Sequence, residues 1–437
     1  MAGQAVWVAH DGVVLFRGTD GYANLDTRQR VAGDSVFPVY SLAKLFVSTL
    51  VMQLVEQGQV DLDKPASIYL HDLPARWQDI TVREFLNHTS GVPEYFDGER
   101  AMSSPGSIVF PASAQAVFVS LADKPLLFPP GTDTHYADIN YLVLSSLLEA
   151  HYRKPYPQIV AERIIRKLHL KHTWLGSAAL PKRGVVTAYI GRDGQLEKDV
   201  EPAWPAYSFG HGELYSTLDD LARFLQAMRS GELVGKSTLQ QLWQPQTLAN
   251  GQRGWFATGW EYGESDGYRN VGHDGGARVR VRIVFKDVPG GDDYTFVYLA
   301  SGSAKNVWSR ILLDSTMAVV APDRFPAEAL SERLIGYALQ SSVAGDASTE
   351  AQWIKANSVL NGEALERTID NAGNTIRANL DVDAALRVFA LDTSLFPESA
   401  SAWDSLADAY AAKGDQEKAM AMHDKAHRLS AQPPGRQ

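Results

Sequence analysis

The sequence predicts an α+β domain followed by a smaller all-helical region, and three observations carry that prediction. An apolar hairpin pattern opens the chain, alternating strand patterns return far downstream, and amphipathic helical segments fill the interval. Strands at both ends of a segment with helices between them imply a sheet closed by distant parts of the chain. Beyond residue 320 the texture becomes almost wholly helical.

The elements follow in order. Residues 5–9 and 13–16 flank Asp11 and Gly12, a pair that tolerates the positive φ of a tight turn, and read as a hairpin. From residue 41 to 57 an apolar stripe that includes Leu45, Phe46, Leu50 and Leu54 recurs at helical spacing and stops near Gly58. Further helices are expected over 81–87, 114–121, 139–151, 156–168 and 217–228, and strands over 277–285 and 294–300. Pro322 and Pro326 punctuate the chain after that. The expected organisation is a first domain over 1–325, a linker over 326–349 and a helical region over 350–437.

The helical region has its own pattern. Trp403, Leu406 and Tyr410 share one helix, Gly414 breaks it, and Ala419 and Ala426 lie on the next. With Ala385, Phe389 and Pro397 one period earlier, this resembles about one and a half tetratricopeptide repeats, although His423 departs from the usual aromatic. These helices are a candidate surface for a protein partner.

Composition narrows the function. The 437 residues are 45% hydrophobic and 21% charged, an ordinary globular profile. With 51 acidic and 41 basic side chains the net charge is −10, which argues against nucleic-acid binding through phosphates. The absence of cysteine removes thiol nucleophiles, disulfides and Cys-ligated metals. No membrane span is evident. The opening MAGQAVWVAHDG lacks the basic start and apolar core of a signal peptide, so the protein is cytoplasmic or its leader has been removed.

The chemistry begins at Ser41-Leu42-Ala43-Lys44, where Ser-x-x-Lys on a helix sets hydroxyl and amine one turn apart. A serine at a helix start meets free N–H groups that favour the anion of acyl transfer, and an uncharged lysine beside it can act as base. About ninety residues on, Tyr136 and Asp138 precede a helix. The tyrosine can relay the serine proton where cations favour its phenolate. Asp138 would point the same way and could hold Lys44 or a substrate amide. Immediately before the alternating strand lies Gly272-His273-Asp274-Gly275-Gly276, which sets a donor beside the substrate, and the Gly276 N–H could join that of Ser41 as an oxyanion hole.

In this order the segments resemble the serine β-lactamase and penicillin-binding-protein superfamily, closest to its branch of class C-like β-lactamases, D-amino-acid peptidases and family VIII esterases. The segment 81–91 (TVREFLNHTSG), the segment 209–225 (FGHGELYSTLDDLARFL) and Gly259-Trp260 fit that branch too, so the resemblance spans residues 5 to about 320. It implies a β-lactamase/transpeptidase-like fold, an antiparallel sheet flanked by helices plus an all-helical subdomain. It implies export where a leader has been removed, and no metal or organic cofactor. By the resemblance Ser41 is the nucleophile, Lys44 its proton partner and Tyr136 the second acid/base. Asp138 stands at the family's Asn position, and His273 stands where Lys-Thr-Gly has its lysine, with Asp274 and Gly275 completing the triplet.

These departures steer the expectation. An ionised Asp138 only accepts hydrogen bonds and would repel a substrate carboxylate, and His273 removes a fixed positive charge. The expected activity is therefore a serine hydrolase acting on a small ester, amide or peptide through a Ser41 acyl-enzyme, as a carboxylesterase or D-residue peptidase. The alternatives are a class C-like β-lactamase and a non-catalytic binding module with a partner-binding helical tail. Among other residues, His88 is expected to be structural, His135 and His211 are candidates for the cleft, and Trp204, Tyr207 and Phe256 make either a cleft wall or core, with core the default. Arg278, Arg280 and Arg282 alternate on one face, expected to be solvated or paired with a helix.

Overall fold

The computed structural model describes residues 2–97, 108–181, 183–192, 195–265, 267–276, 278–303, 309–339 and 347–431. The chain divides into two units, residues 1–305 and 306–437.

The first unit is built on a seven-stranded sheet. Its strands are β1 (Gln4–His10), β2 (Val13–Asp20), β3 (Phe256–Ala257), β4 (Trp260–Ser265), β5 (Tyr268–Gly275), β6 (Val279–Phe285) and β7 (Asp293–Ala300). They lie side by side as β3-β4-β5-β6-β7-β1-β2, every neighbouring pair antiparallel. The chain start thus pairs with a strand from almost 300 residues later, with Val8 opposite Phe296. The hairpin at Asp11-Gly12 forms with positive φ at both residues. Ala277, which opens the expected strand at 277–285, lies outside the described residues.

Helices surround the sheet. Helix α1 (Ala43–Glu56) is buried along almost its entire length, and Phe46 stacks on Phe224 at 4.5 Å. The short helix α2 (Val82–Leu86) starts at a capping box, in which Thr81 accepts from the Glu84 N–H and the Glu84 carboxylate accepts from the Thr81 N–H. Helix α3 (Ala114–Leu121) follows, and α4 (Ile139–Tyr152) carries Ile139, Leu142, Leu144, Leu147 and Leu148 into the core. The segment at 156–168 is helical with a π-helical stretch at Ala161–Ile165.

The second unit is all-helical, with described helices Ser309–Val320, Pro326–Leu339, Ala347–Asn357, Gly362–Asn379, Val382–Leu395, Ala400–Lys413 and Gln416–Ser430. Leu334, Ile354, Ile369, Ile376, Val388 and Phe389 make its core. Asp381, Ser399 and Asp415 cap helix starts, and Gly414 ends a helix at φ +89°.

Two expectations need correction. The linker placed at 326–349 contains the helix Pro326–Leu339, and the units divide at 305/306 rather than at 325. Pro326 occupies the first position of that helix, where its missing N–H costs nothing, so it marks a start and not a break. The other correction concerns Arg278, Arg280 and Arg282, which are buried, not solvated and not paired with a helix. Their partners are carboxylates: Asp199 for Arg278, Asp274 for Arg280, and Glu261 with Asp274 for Arg282. Register explains the last pair, since Gly272 lies between Glu261 on β4 and Arg282 on β6, and a Cβ there would come within 2.8 Å of the arginine stem.

Candidate active site

Ser41 lies on the tight turn that leads into α1. Its neighbour Tyr40 has φ +49°, a conformation uncommon outside glycine and held here by its surroundings. The Tyr40 hydroxyl accepts from Arg278 Nη1 at 2.6 Å. Its ring lies against Gly276 (φ +52°), where a Cβ would come within 2.7 Å of the ring. The glycine therefore lets β5 end directly against the serine turn, and Ser41 and Gly276 line one cavity.

Three predicted residues meet at the serine. The Tyr136 hydroxyl donates to Ser41 Oγ at 2.8 Å, and Lys44 Nζ lies 3.1 Å from the same oxygen. Lys44 is fully buried, donates to the His211 carbonyl at 2.9 Å and pairs with Asp138 Oδ1 at 2.6 Å. Its ammonium also sits 4.8 Å from the centre of the Tyr136 ring. Burial opposes ionisation of Asp138, but Lys44 and His211 together hold its carboxyl below the usual range. Burial, then the Asp138 charge, push the Tyr136 phenol well above its ordinary value. Tyr136 thus rests as a hydrogen-bond donor to Ser41 rather than as a phenolate.

A layer of residues behind these holds them. His88 is wholly buried and its Nδ1 accepts from the Ala137 N–H at 3.2 Å, while its ring packs 4.4 Å from Tyr136. Burial, with Lys44 and His273 nearby, keeps it neutral. Asn140 receives a hydrogen bond from the Ser90 hydroxyl at 2.6 Å and contacts His88 at 3.1 Å, so α2 and α4 are tied beneath the site. This matches the structural role expected of His88.

His211 enters the site more fully than its sequence signal suggested. Beyond its carbonyl, its Nδ1 lies 3.5 Å from Asp138 Oδ2 and its Nε2 lies 2.8 Å from the Tyr95 hydroxyl. Burial lowers its pKa to about 4 despite Asp138, so the imidazole is neutral. Glu94 was not foreseen. It accepts from the Asp138 N–H at 2.5 Å, and burial with the Asp138 charge pushes its carboxyl up to about 8. An acid three residues after a glycine turn carries no signature in sequence, because only the fold brings it to Asp138.

His273 departs from the donor expected of it. It lies within strand β5, almost fully buried, with Nδ1 2.6 Å from the Asp274 carbonyl. A carbonyl can only accept, so the proton sits on Nδ1 and Nε2 is left as an acceptor. Burial keeps the ring neutral. His273 packs 5.9 Å from the Tyr136 ring. Asp274 pairs with Arg282 at 2.9 Å, which commits it to the strand network. His135 is exposed and bonds through its backbone N–H to the His88 carbonyl.

The cavity over Ser41 measures about 480 Å³. Tyr40, Phe96, Val200, Trp204 and Tyr215 supply apolar walls, so of the two readings for Trp204 the structure takes the cleft wall. The described lining residues include four carboxylates, of which Asp138 is paired with Lys44 and Asp199 with Arg278, leaving Glu201 and Glu213 on the wall without an ion-pair partner among the lining residues.

Comparison with known proteins identifies the family and the fold. The family profile described as Beta-lactamase matches residues 1–312. A D-aminopeptidase of Brucella anthropi is 27% identical over 281 residues, 63% of this chain and 52% of that protein. The chain thus spans about half the length of the curated relatives it matches. The octameric penicillin-binding protein homologue from Pyrococcus abyssi superposes with a TM-score of 0.63 at 20% identity, covering 77% of each chain. A D-stereospecific amidohydrolase from Streptomyces sp. superposes with a TM-score of 0.55 at 25% identity, covering 69% of this chain and 89% of that one.

Proposed function

The chain belongs to the β-lactamase family, and we propose that within it the protein is a serine amidohydrolase that cleaves amides or short peptides of D-amino acids through a Ser41 acyl-enzyme. The observation that carries this reading is the convergence on Ser41 Oγ of the Tyr136 hydroxyl at 2.8 Å and Lys44 Nζ at 3.1 Å, at the edge of a cavity. In this reading Ser41 attacks the carbonyl, the amine leaves with a proton, and water releases the acid. The Ser41 and Gly276 N–H groups are assigned to the developing oxyanion.

The substrate class draws on two supports. The relatives are named D-aminopeptidase and D-stereospecific amidohydrolase. The cavity wall is acidic, which suits a substrate carrying a protonated amine and disfavours the carboxylate of a β-lactam. The helical unit is assigned a role in binding a protein partner, with its last helices as tetratricopeptide-like elements.

The test compares D- and L-alanine p-nitroanilides, a short nitrophenyl ester and a penicillin, with intact mass recorded beside product release. We expect turnover of the D-anilide above the L-anilide. Ser41→Ala should lower it by about 10³-fold or more and abolish acyl adducts, with melting unchanged. Faster hydrolysis of the penicillin than of any amide would move the protein to the β-lactamases. Turnover indifferent to Ser41→Ala would overturn the nucleophile.

A further inference from the structure

Ser41 presents a difficulty that the contacts on the page resolve. Both groups at its oxygen are donors at rest: Tyr136 as a phenol, and Lys44 as an ammonium paired with Asp138. Neither can take the serine proton without first giving one up. Lys44 Nζ has three hydrogens, and its neighbours within hydrogen-bond distance are Ser41 Oγ, the His211 carbonyl and Asp138 Oδ1. Of these only the carboxylate can accept a proton outright. An amide at position 138 could not do this.

We propose that Asp138 is the terminal proton acceptor for the attack of Ser41, reached through Lys44. The step rests on the proposed function and balances as follows. As Ser41 Oγ bonds to the carbonyl carbon, its O–H breaks and the proton passes to Lys44 Nζ. Lys44 releases one of its own protons to Asp138 Oδ1, and the carbonyl π pair moves onto oxygen. Lys44 remains an ammonium, Asp138 becomes a carboxylic acid, and collapse returns the proton by the same route to the leaving amine.

The surroundings fit a carboxylate that must accept and return a proton. His211 holds Oδ2 from one side, itself braced by Tyr95. Glu94 beneath it accepts from the Asp138 backbone N–H, and burial with the Asp138 charge raises its pKa to about 8, so it adds little second negative charge beside Asp138 at neutral pH. The other ionisable groups around Lys44 are Tyr136 and Tyr141, whose rings lie 4.8 and 5.7 Å away, and the neutral His88 and His273. Asp138 acts through Lys44 and has no contact with the reacting atoms, so its role shows in the pH dependence and not in substrate binding.

The experiment follows covalent labelling of Ser41 by a fluorophosphonate as a function of pH, which needs an activated serine but no knowledge of the substrate. In the wild type the acid limb of the labelling rate should lie below the ordinary carboxylate range, since Lys44 and His211 hold the Asp138 carboxyl down against burial. Asp138→Asn should label about a hundredfold or more slowly at pH 7 and recover by about tenfold per pH unit on the alkaline side, as a lysine working alone requires. Asp138→Glu should regain part of the neutral rate. An Asp138→Asn protein that labels at the wild-type rate with an unchanged limb overturns the relay while leaving Ser41 as nucleophile. Should that variant not fold, the wild-type limb decides alone, and a limb near pH 8 or above overturns it. Absence of wild-type labelling at every pH overturns the proposal together with the proposed function.

Discussion

Strand β6 and the start of helix α1 both bury positive charge, on opposite terms. Arg278, just before β6, and Arg282 on it are each held by several acceptors: Arg278 by Asp199, the Tyr189 carbonyl and the Tyr40 hydroxyl, Arg282 by Glu261, Asp274 and the Val281 carbonyl. Lys44 is as deeply buried, but one of its three neighbours is the serine oxygen that must react. The first arrangement offsets desolvation with fixed hydrogen bonds and stays put. The second leaves a proton path open. Buried charge alone therefore does not mark an active site. What marks it is a partner that has chemistry to do.

The sharpest way to break this comparison is to remove one charge from each set. Arg282→Met leaves Glu261 and Asp274 without their shared partner and should lower the unfolding free energy by about 3 kcal/mol, read by denaturant titration. Ser41 labelling by the folded fraction should persist. Lys44→Met should do the converse to function and stop labelling in a protein that still melts cooperatively. Equal loss of labelling in both variants would dissolve the distinction.

A smaller effect lies in pH. Glu94 has a folded pKa near 8 against an ordinary value of 4.5, so the native state holds a proton there that the unfolded chain has lost. Its contribution to stability is complete below pH 4.5 and is lost as pH rises to about 8. Glu94→Gln should flatten that decline, measured as unfolding free energy at pH 5 and pH 8. If the slope is unchanged, Glu94 is not the proton holder described above.

Another pH effect belongs to the helical unit. Asp392 is buried on the helix Val382–Leu395, and neither carboxylate oxygen has a hydrogen-bond partner among the described residues. Burial, then Glu366 and Asp370, raise its pKa to about 8 from 3.8. The sign is the same as for Glu94: stability falls between pH 4 and 8. Asp392→Asn should stabilise this unit at pH 8 and leave Ser41 labelling untouched, with the helical signal followed on heating.

Much of this was legible early because the signals are local. The turn at Asp11-Gly12, the helix expected over 81–87 and the helix end at Gly414 each depend on residues close together in the chain. The same locality placed Ser41 and Lys44 on one helical face. The arginines of β6 were misread for the opposite reason. Alternating charge along a strand reads as a wet face, and only the neighbouring carboxylates of β4 and β5 make it a dry one. The protonation of Tyr136 and His273 lay outside the sequence signal, since a phenol's or imidazole's state depends on its burial and hydrogen-bond partners in the fold.

By itself the sequence determined the α+β class, the order of the elements, the helical second part and the residue types that meet at the serine, because periodicity, turn chemistry and i, i+3 spacing are properties of adjacent residues. The tertiary structure alone decided which side chains are charged and what each one touches. Asp138 receives Lys44 from one helix, His211 from a turn and Glu94 from a loop. Desolvation and Coulomb energies depend on those through-space distances, and no reading along the chain contains them.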